Sequence, residues 1–167
     1  MTRRIAILLT STDTSEFARR HPDDGQKFTT LLQPLRPDWQ FDVISVKDGV
    51  FPAAVEDYDG YVITGSPASV NGPEAWVGQL MSLVRDIDAR RIPLFGACFG
   101  HQAIAVALGG SVTRSDKGWG LGTAPTHFDR HAPWMEPFRD HLVLFAAHQE
   151  QVQDLPEGAE ILGGDDF

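Results

Sequence analysis

The sequence predicts an α/β fold, a three-layer sandwich whose mostly parallel central sheet carries helices on both faces. Two observations predict it. Over the first 110 residues, short apolar runs alternate with segments of helical period, the pattern of repeated β–α units. Those runs ("RIAILL", "YVIT", "PLF") are continuous rather than alternating, as expected of strands buried on both faces. A chain of 167 residues, 42% of them hydrophobic, is one domain by length and can bury a core without staples.

Taken in order, residues 4–10 read as the first strand, and "STDTSEFARRHPDDG" as a polar, turn-rich loop. After Asp24, the spacing of Phe28, Leu31, Leu32 and Leu35 predicts a helix ended by Pro34 and Pro37. "QFDVISV" alternates as a second strand, and "YDGYVITG" holds a third, closed by Gly65. Pro73 is placed as a first helical residue. Beyond it, Trp76, Val77, Leu80, Leu83, Val84 and Ile87 share one apolar face. "IPLFGA" is a short fourth strand, and "GHQAIAVALGG" a helix stopped by Gly109 and Gly110. Past residue 110 the pattern changes: "SVTRS", "GLGTAPTHF" and "HLVLFAAHQEQV" read as short strands of an antiparallel excursion, and "AEILGG" as a strand opening a new unit.

Composition narrows the function. A formal charge of −9, from 14 basic and 23 acidic side chains, argues against nucleic-acid and anionic-membrane partners. No run approaches the roughly 20 apolar residues that span a bilayer. "MTRRIAILLTST" begins charged and turns apolar, but it is too brief for a signal-peptide core and no small-residue cleavage site follows, so a cytoplasmic location is expected. The single Cys excludes an intramolecular disulfide. With no CxxC or Cys/His grouping, neither a metal nor another cofactor is expected.

That cysteine, Cys98, stands in "PLFGACFGHQAIAVALGG" between an apolar strand and an apolar helix. A free Cys is often a small buried hydrophobe. Here the strand–turn–helix context and the glycines two residues to either side, Gly96 and Gly100, decide for a nucleophile elbow, a sharp turn that forces small neighbours. A thiol at the start of a helix meets the positive end of its dipole, which favours the reactive thiolate. The Phe99 N–H is placed to donate to an oxyanion.

"GACFGHQ" resembles the G-x-C-x-G-x-Q signature of class I (triad-type) glutamine amidotransferases, which have a flavodoxin-like sandwich. "YDGYVITGSPASV" resembles the strand and turn that supply this family's second oxyanion N–H. "KGWGLG" followed by "AAHQEQVQDLPEGAEILGG" resembles its later strands, as found in stand-alone proteins similar to the amidotransferase domain of GMP synthase. The resemblance implies that Cys98 attacks the glutamine side-chain amide to form a γ-glutamyl thioester. It further implies that Gly65 and Phe99 N–H groups hold the oxyanion, and that Ser66, Gln102 and the segment His148, Gln149 and Glu150 line the substrate pocket.

Thiolate attack needs a proton acceptor, which the family supplies as a His-x-Glu pair. His148 and Glu150 have that spacing, and on a strand i and i+2 share a face. However, their stretch matches the segment that precedes the pair, so the pair is expected after residue 167. A single domain over 1–167, stopping before it, is the expected organisation. His21, His127, His131 and His141 fall in unpatterned, exposed contexts, and His101 reads as a packing residue. The leading expectation is glutamine hydrolysis, with ammonia passed to a separate acceptor synthetase. The alternatives are a γ-glutamyl peptidase or hydrolase, and a non-catalytic glutamine-binding regulatory module. A redox sensor is disfavoured because no resolving Cys exists.

Overall fold

A computed structural model describes residues 2–165; Met1, Asp166 and Phe167 lie outside them. Four parallel strands, β1 (Arg4–Leu8), β2 (Gln40–Ile44), β3 (Gly60–Ile63) and β4 (Leu94–Gly96), form the central sheet in the order β2-β1-β3-β4. Parallel strands need long crossover connections, and helices supply them: α2 (Asp24–Leu32) follows β1 and α3 (Ala75–Ala89) follows β3. The architecture is a mixed α/β sandwich with a parallel core sheet, as the sequence predicts.

The two faces of the sheet are unequal. One packs Leu8, Tyr61 and Ile63 against α3 and α4 (Phe99–Ala107), with Leu80, Val84, Ile87 and Phe99 fully or almost fully enclosed. The α3 face buries all six residues expected of it, plus Met81. The other face buries a smaller cluster, Ile5, Ile7 and Val62, under Phe28, Leu32, Trp39 and Phe41.

Four local expectations are corrected. The loop after β1 contains a short helix, α1 (Glu16–Arg20): the Ser15 hydroxyl accepts from the Ala18 N–H at 3.1 Å, and Glu16 pairs with Arg20 one turn on. It has no apolar face and so leaves no periodic signal. Helix α3 begins after Glu74 rather than at Pro73. "HLVLFAAHQEQV" is two strands, β7 (His141–His148) and β8 (Glu150–Asp154), because the chain bends at Gln149. β7 pairs with β6 (Gly120–Phe128), whereas β8 pairs with β5 (Ser111–Arg114), all antiparallel. Finally, little of "AEILGG" is strand. Only β9 (Gly163–Gly164) forms, closing on the end of β6, where Asp129 N–H donates to the Leu162 carbonyl at 2.9 Å.

Candidate active site

Cys98 lies between β4 and α4 with φ 50° and ψ −108°, a left-handed conformation rare for any residue but glycine. Its neighbours explain how the chain tolerates it. A Cβ on Gly96 would stand 2.4 Å from the Gly100 carbonyl carbon, and one on Gly100 would stand 2.5 Å from the Ile63 carbonyl oxygen. Both obstacles are backbone, which cannot move aside. The turn is closed by Gly100 N–H donating to the Ala97 carbonyl at 2.8 Å, and Ala97 N–H ties it to β3 through the Ile63 carbonyl at 3.0 Å. Cys98 is exposed at the top of this turn. Phe99, the first residue of α4, has an N–H that helix geometry leaves without an intrahelical acceptor.

The end of β3 runs alongside. A Cβ on Gly65 would sit 3.7 Å from the Cys98 Cβ, ordinary contact distance, so Gly65 borders the thiol directly. Following it, Ser66 accepts from Ala68 N–H at 3.1 Å, and Ser69 donates to the Glu150 carboxylate at 2.9 Å. Gln102, on the buried side of α4, donates from Nε2 to the Glu150 carbonyl at 2.7 Å. Helix α4 and the β3 turn are thus both fastened to the start of β8.

Between them lies a cavity of about 230 Å³ bordered by Cys98, Ser66, Gln102, His148, Gln149 and Glu150. Every side chain the sequence proposes around the nucleophile, apart from the backbone donors Gly65 and Phe99, meets there. A second hollow, of about 510 Å³, continues past Cys98 toward His101, Leu144 and Ala146. His101 is held below the usual imidazole range by the protein packed around it, although part of its surface reaches solvent. Ser69, Trp119 and Arg114 also face the first cavity. Ser69 lies within the quoted "GSPASV" stretch, whereas nothing in the sequence marked Arg114, the cavity's cation.

His148 and Glu150 do not share the face of one strand, since the bend at Gln149 separates β7 from β8. The Glu150 carboxylate is engaged by Ser69. The remaining histidines are distributed elsewhere: His127 and His141 face each other across β6 and β7, His131 contacts the Met135 carbonyl, and His21 lies against Phe17. The first two sit on strands. Among the described residues no cluster of His, Cys, Asp and Glu could hold a metal ion, and no helix is long and apolar enough to cross a membrane.

The profile of the family Glutamine amidotransferase class-I matches residues 34–166. The chain belongs to that family. Within it, the sequence is related to amidotransferase domains of the GMP synthase type: a glutamine-hydrolysing GMP synthase subunit of Halobacterium salinarum is 27% identical over 87% of this chain and 74% of its own length. Four relatives from Arabidopsis thaliana are named γ-glutamyl peptidases, 2 to 5; the first of these is 34% identical over 98% of this chain. This amidotransferase-family chain spans about two-thirds of those relatives' length, 64% to 67%. The solved glutamine amido transferase of Methylobacillus flagellatus superposes with a TM-score of 0.75 at 26% identity, over 99% of this chain and 62% of that one.

Proposed function

We propose that this amidotransferase-family chain is a cysteine-nucleophile hydrolase of γ-glutamyl amides, with γ-glutamyl peptides as its substrate class. The observation that carries the reading is Cys98 at positive φ, exposed, between two glycines that backbone contacts forbid to be anything larger. Strain of this kind persists where a side chain must be presented. The four relatives named γ-glutamyl peptidases, 30–34% identical over at least 93% of the chain, support a peptide leaving group over ammonia.

The Cys98 sulfur adds to the γ-carbonyl carbon, and the Gly65 and Phe99 N–H groups receive the resulting oxyanion. The carbonyl re-forms as the C–N bond breaks, and the amine leaves with a proton. Water then adds to the thioester, releasing glutamate and returning the thiol. Ser66, Gln102 and the segment His148, Gln149 and Glu150 hold the glutamyl end, while Gln102 also fixes that segment through the Glu150 carbonyl. With Glu150 engaged by Ser69, the pair His148/Glu150 is read as pocket wall rather than as base and orienter. The second reading, glutamine itself with ammonia delivered to a separate synthetase, is favoured by the relationship to the GMP synthase of Halobacterium salinarum.

The test is intact-mass labelling by 6-diazo-5-oxo-norleucine. One adduct is expected on the wild-type chain and none on Cys98→Ala, with γ-glutamyl-alanine protecting better than glutamine. Protection by glutamine alone selects the second reading. An adduct that neither compound prevents, or no adduct, overturns both in favour of a non-catalytic binding module.

A further inference from the structure

Thr10 follows β1, and Thr64 and Gly65 follow β3, so the three meet at the carboxyl end of the sheet where the nucleophile turn lies. Both threonine side chains are fully buried. The Thr10 N–H donates to Thr64 Oγ1 at 3.0 Å. Thr10 Oγ1 lies 2.9 Å from the Thr64 carbonyl oxygen and 3.0 Å from that of Gly65, and Thr64 Oγ1 lies 3.2 Å from the Gly65 carbonyl oxygen. The two hydroxyls, 3.0 Å apart, carry two protons, enough to satisfy both carbonyls.

The consequence is stereochemical. In a planar trans peptide the N–H points opposite to the carbonyl it adjoins. Anchoring the Thr64 and Gly65 carbonyls on the Thr10 side therefore turns the Gly65 and Ser66 N–H groups the other way. Gly65 borders Cys98, with 3.7 Å between the Cys98 Cβ and a Cβ built on Gly65. We infer that Thr10 is a positioning residue, whose buried hydroxyl, with that of Thr64, fixes the peptides after β3 so that the Gly65 N–H serves the tetrahedral oxyanion formed at Cys98. This inference rests on the proposed hydrolase reading. Thr10 touches no substrate and acts only through the backbone.

A ground-state ligand and an oxyanion mimic separate this role from simple structural support. Glutamate γ-semialdehyde adds to a cysteine as a hemithioacetal and so places an oxygen in the oxyanion position, whereas glutamate makes no such bond. Thr10→Val, which keeps shape and removes the hydroxyl, is expected to weaken aldehyde binding about tenfold or more, short of the roughly 10²–10³ range for outright loss of a donor. Glutamate binding should change less than about threefold, and Thr10→Ser should restore the aldehyde affinity. Equal weakening of both ligands, or no weakening, overturns the inference. Backbone amide resonances give a reading independent of activity: Thr10→Val should shift those of Gly65 and Ser66 and leave that of Phe99 in place. If the wild-type chain binds neither ligand, the hydrolase reading fails. The amides then decide alone: a shift confined to Gly65 and Ser66 keeps Thr10 as the determinant of the turn, and unchanged resonances overturn it.

Discussion

At the scale of single residues, the glycines around the nucleophile are determined by contact, not by composition. Gly100 would drive a Cβ to within 2.5 Å of the Ile63 carbonyl oxygen, and neither the helix nor the strand can yield without opening the turn. Gly100→Ala is therefore expected to cost about 1–3 kcal/mol, the range for overpacking a tight site, and to abolish labelling of Cys98. Gly78 provides the contrast. It lies exposed within α3 with nothing inside 4 Å of a built Cβ, so the same substitution there should stabilise by roughly 0.5–1 kcal/mol through helix propensity. Chemical denaturation of the two variants checks both signs, and a loss at Gly78 as large as that at Gly100 would contradict the contact argument.

At the scale of elements, the first 110 residues were legible because buried parallel strands and one-sided helices each leave a periodic signature, as in "RIAILL" and in the Trp76–Ile87 face. The nucleophile turn was legible for a different reason: its sterics admit few residue types at Gly96 and Gly100. What stayed hidden lacks such signatures. Helix α1 is held by a cap and an ion pair with no apolar stripe, and the bend at Gln149 depends on β7 and β8 choosing different partner strands. Nor could spacing reveal that Gln102 reaches from α4 to the Glu150 carbonyl. This bond joins the helix carrying the nucleophile to the strand that walls the cavity, and its loss has a definite expected effect. Gln102→Leu removes the donor and leaves the carbonyl unpaired, for a cost of about 1–3 kcal/mol. Gln102→Glu should cost at least as much at pH 7, because it sets a carboxylate oxygen against a carbonyl oxygen. In an active preparation both variants should raise KM more than they lower kcat. Thermal unfolding unchanged in both would mean that the bond does not hold α4 to β8.

Considered as a whole molecule, the sheet is covered unevenly, and the imbalance is concentrated at β4. Parallel strands are ordinarily buried on both faces. Here α3 and α4 close one face, while among the described residues the other has only α2 with Trp39 and Phe41 at one side. β4 is the last strand in the sheet order, and among the described residues its outer edge pairs with no strand. Phe95, next to Val62 in register and 6.3 Å ring to ring from Phe28, is consequently 56% exposed. Together with Ile5, Leu31, Phe41 and Val62 it borders a hollow of about 600 Å³. The hairpin of β6 and β7 also exposes apolar side chains, Leu121, Val143 and Phe145, but none of them borders that hollow, and Phe145 lines instead the one beside Cys98. Anilinonaphthalene sulfonate fluorescence should accordingly fall by about half or more in Phe95→Gln and change little in Phe145→Gln. Because Phe95 is more than half exposed, its loss should cost under about 1.5 kcal/mol, below the range for a fully buried aromatic, so the folded fraction stays the same in the comparison. Equal fluorescence in the two variants would show that this hollow is not the molecule's principal apolar surface.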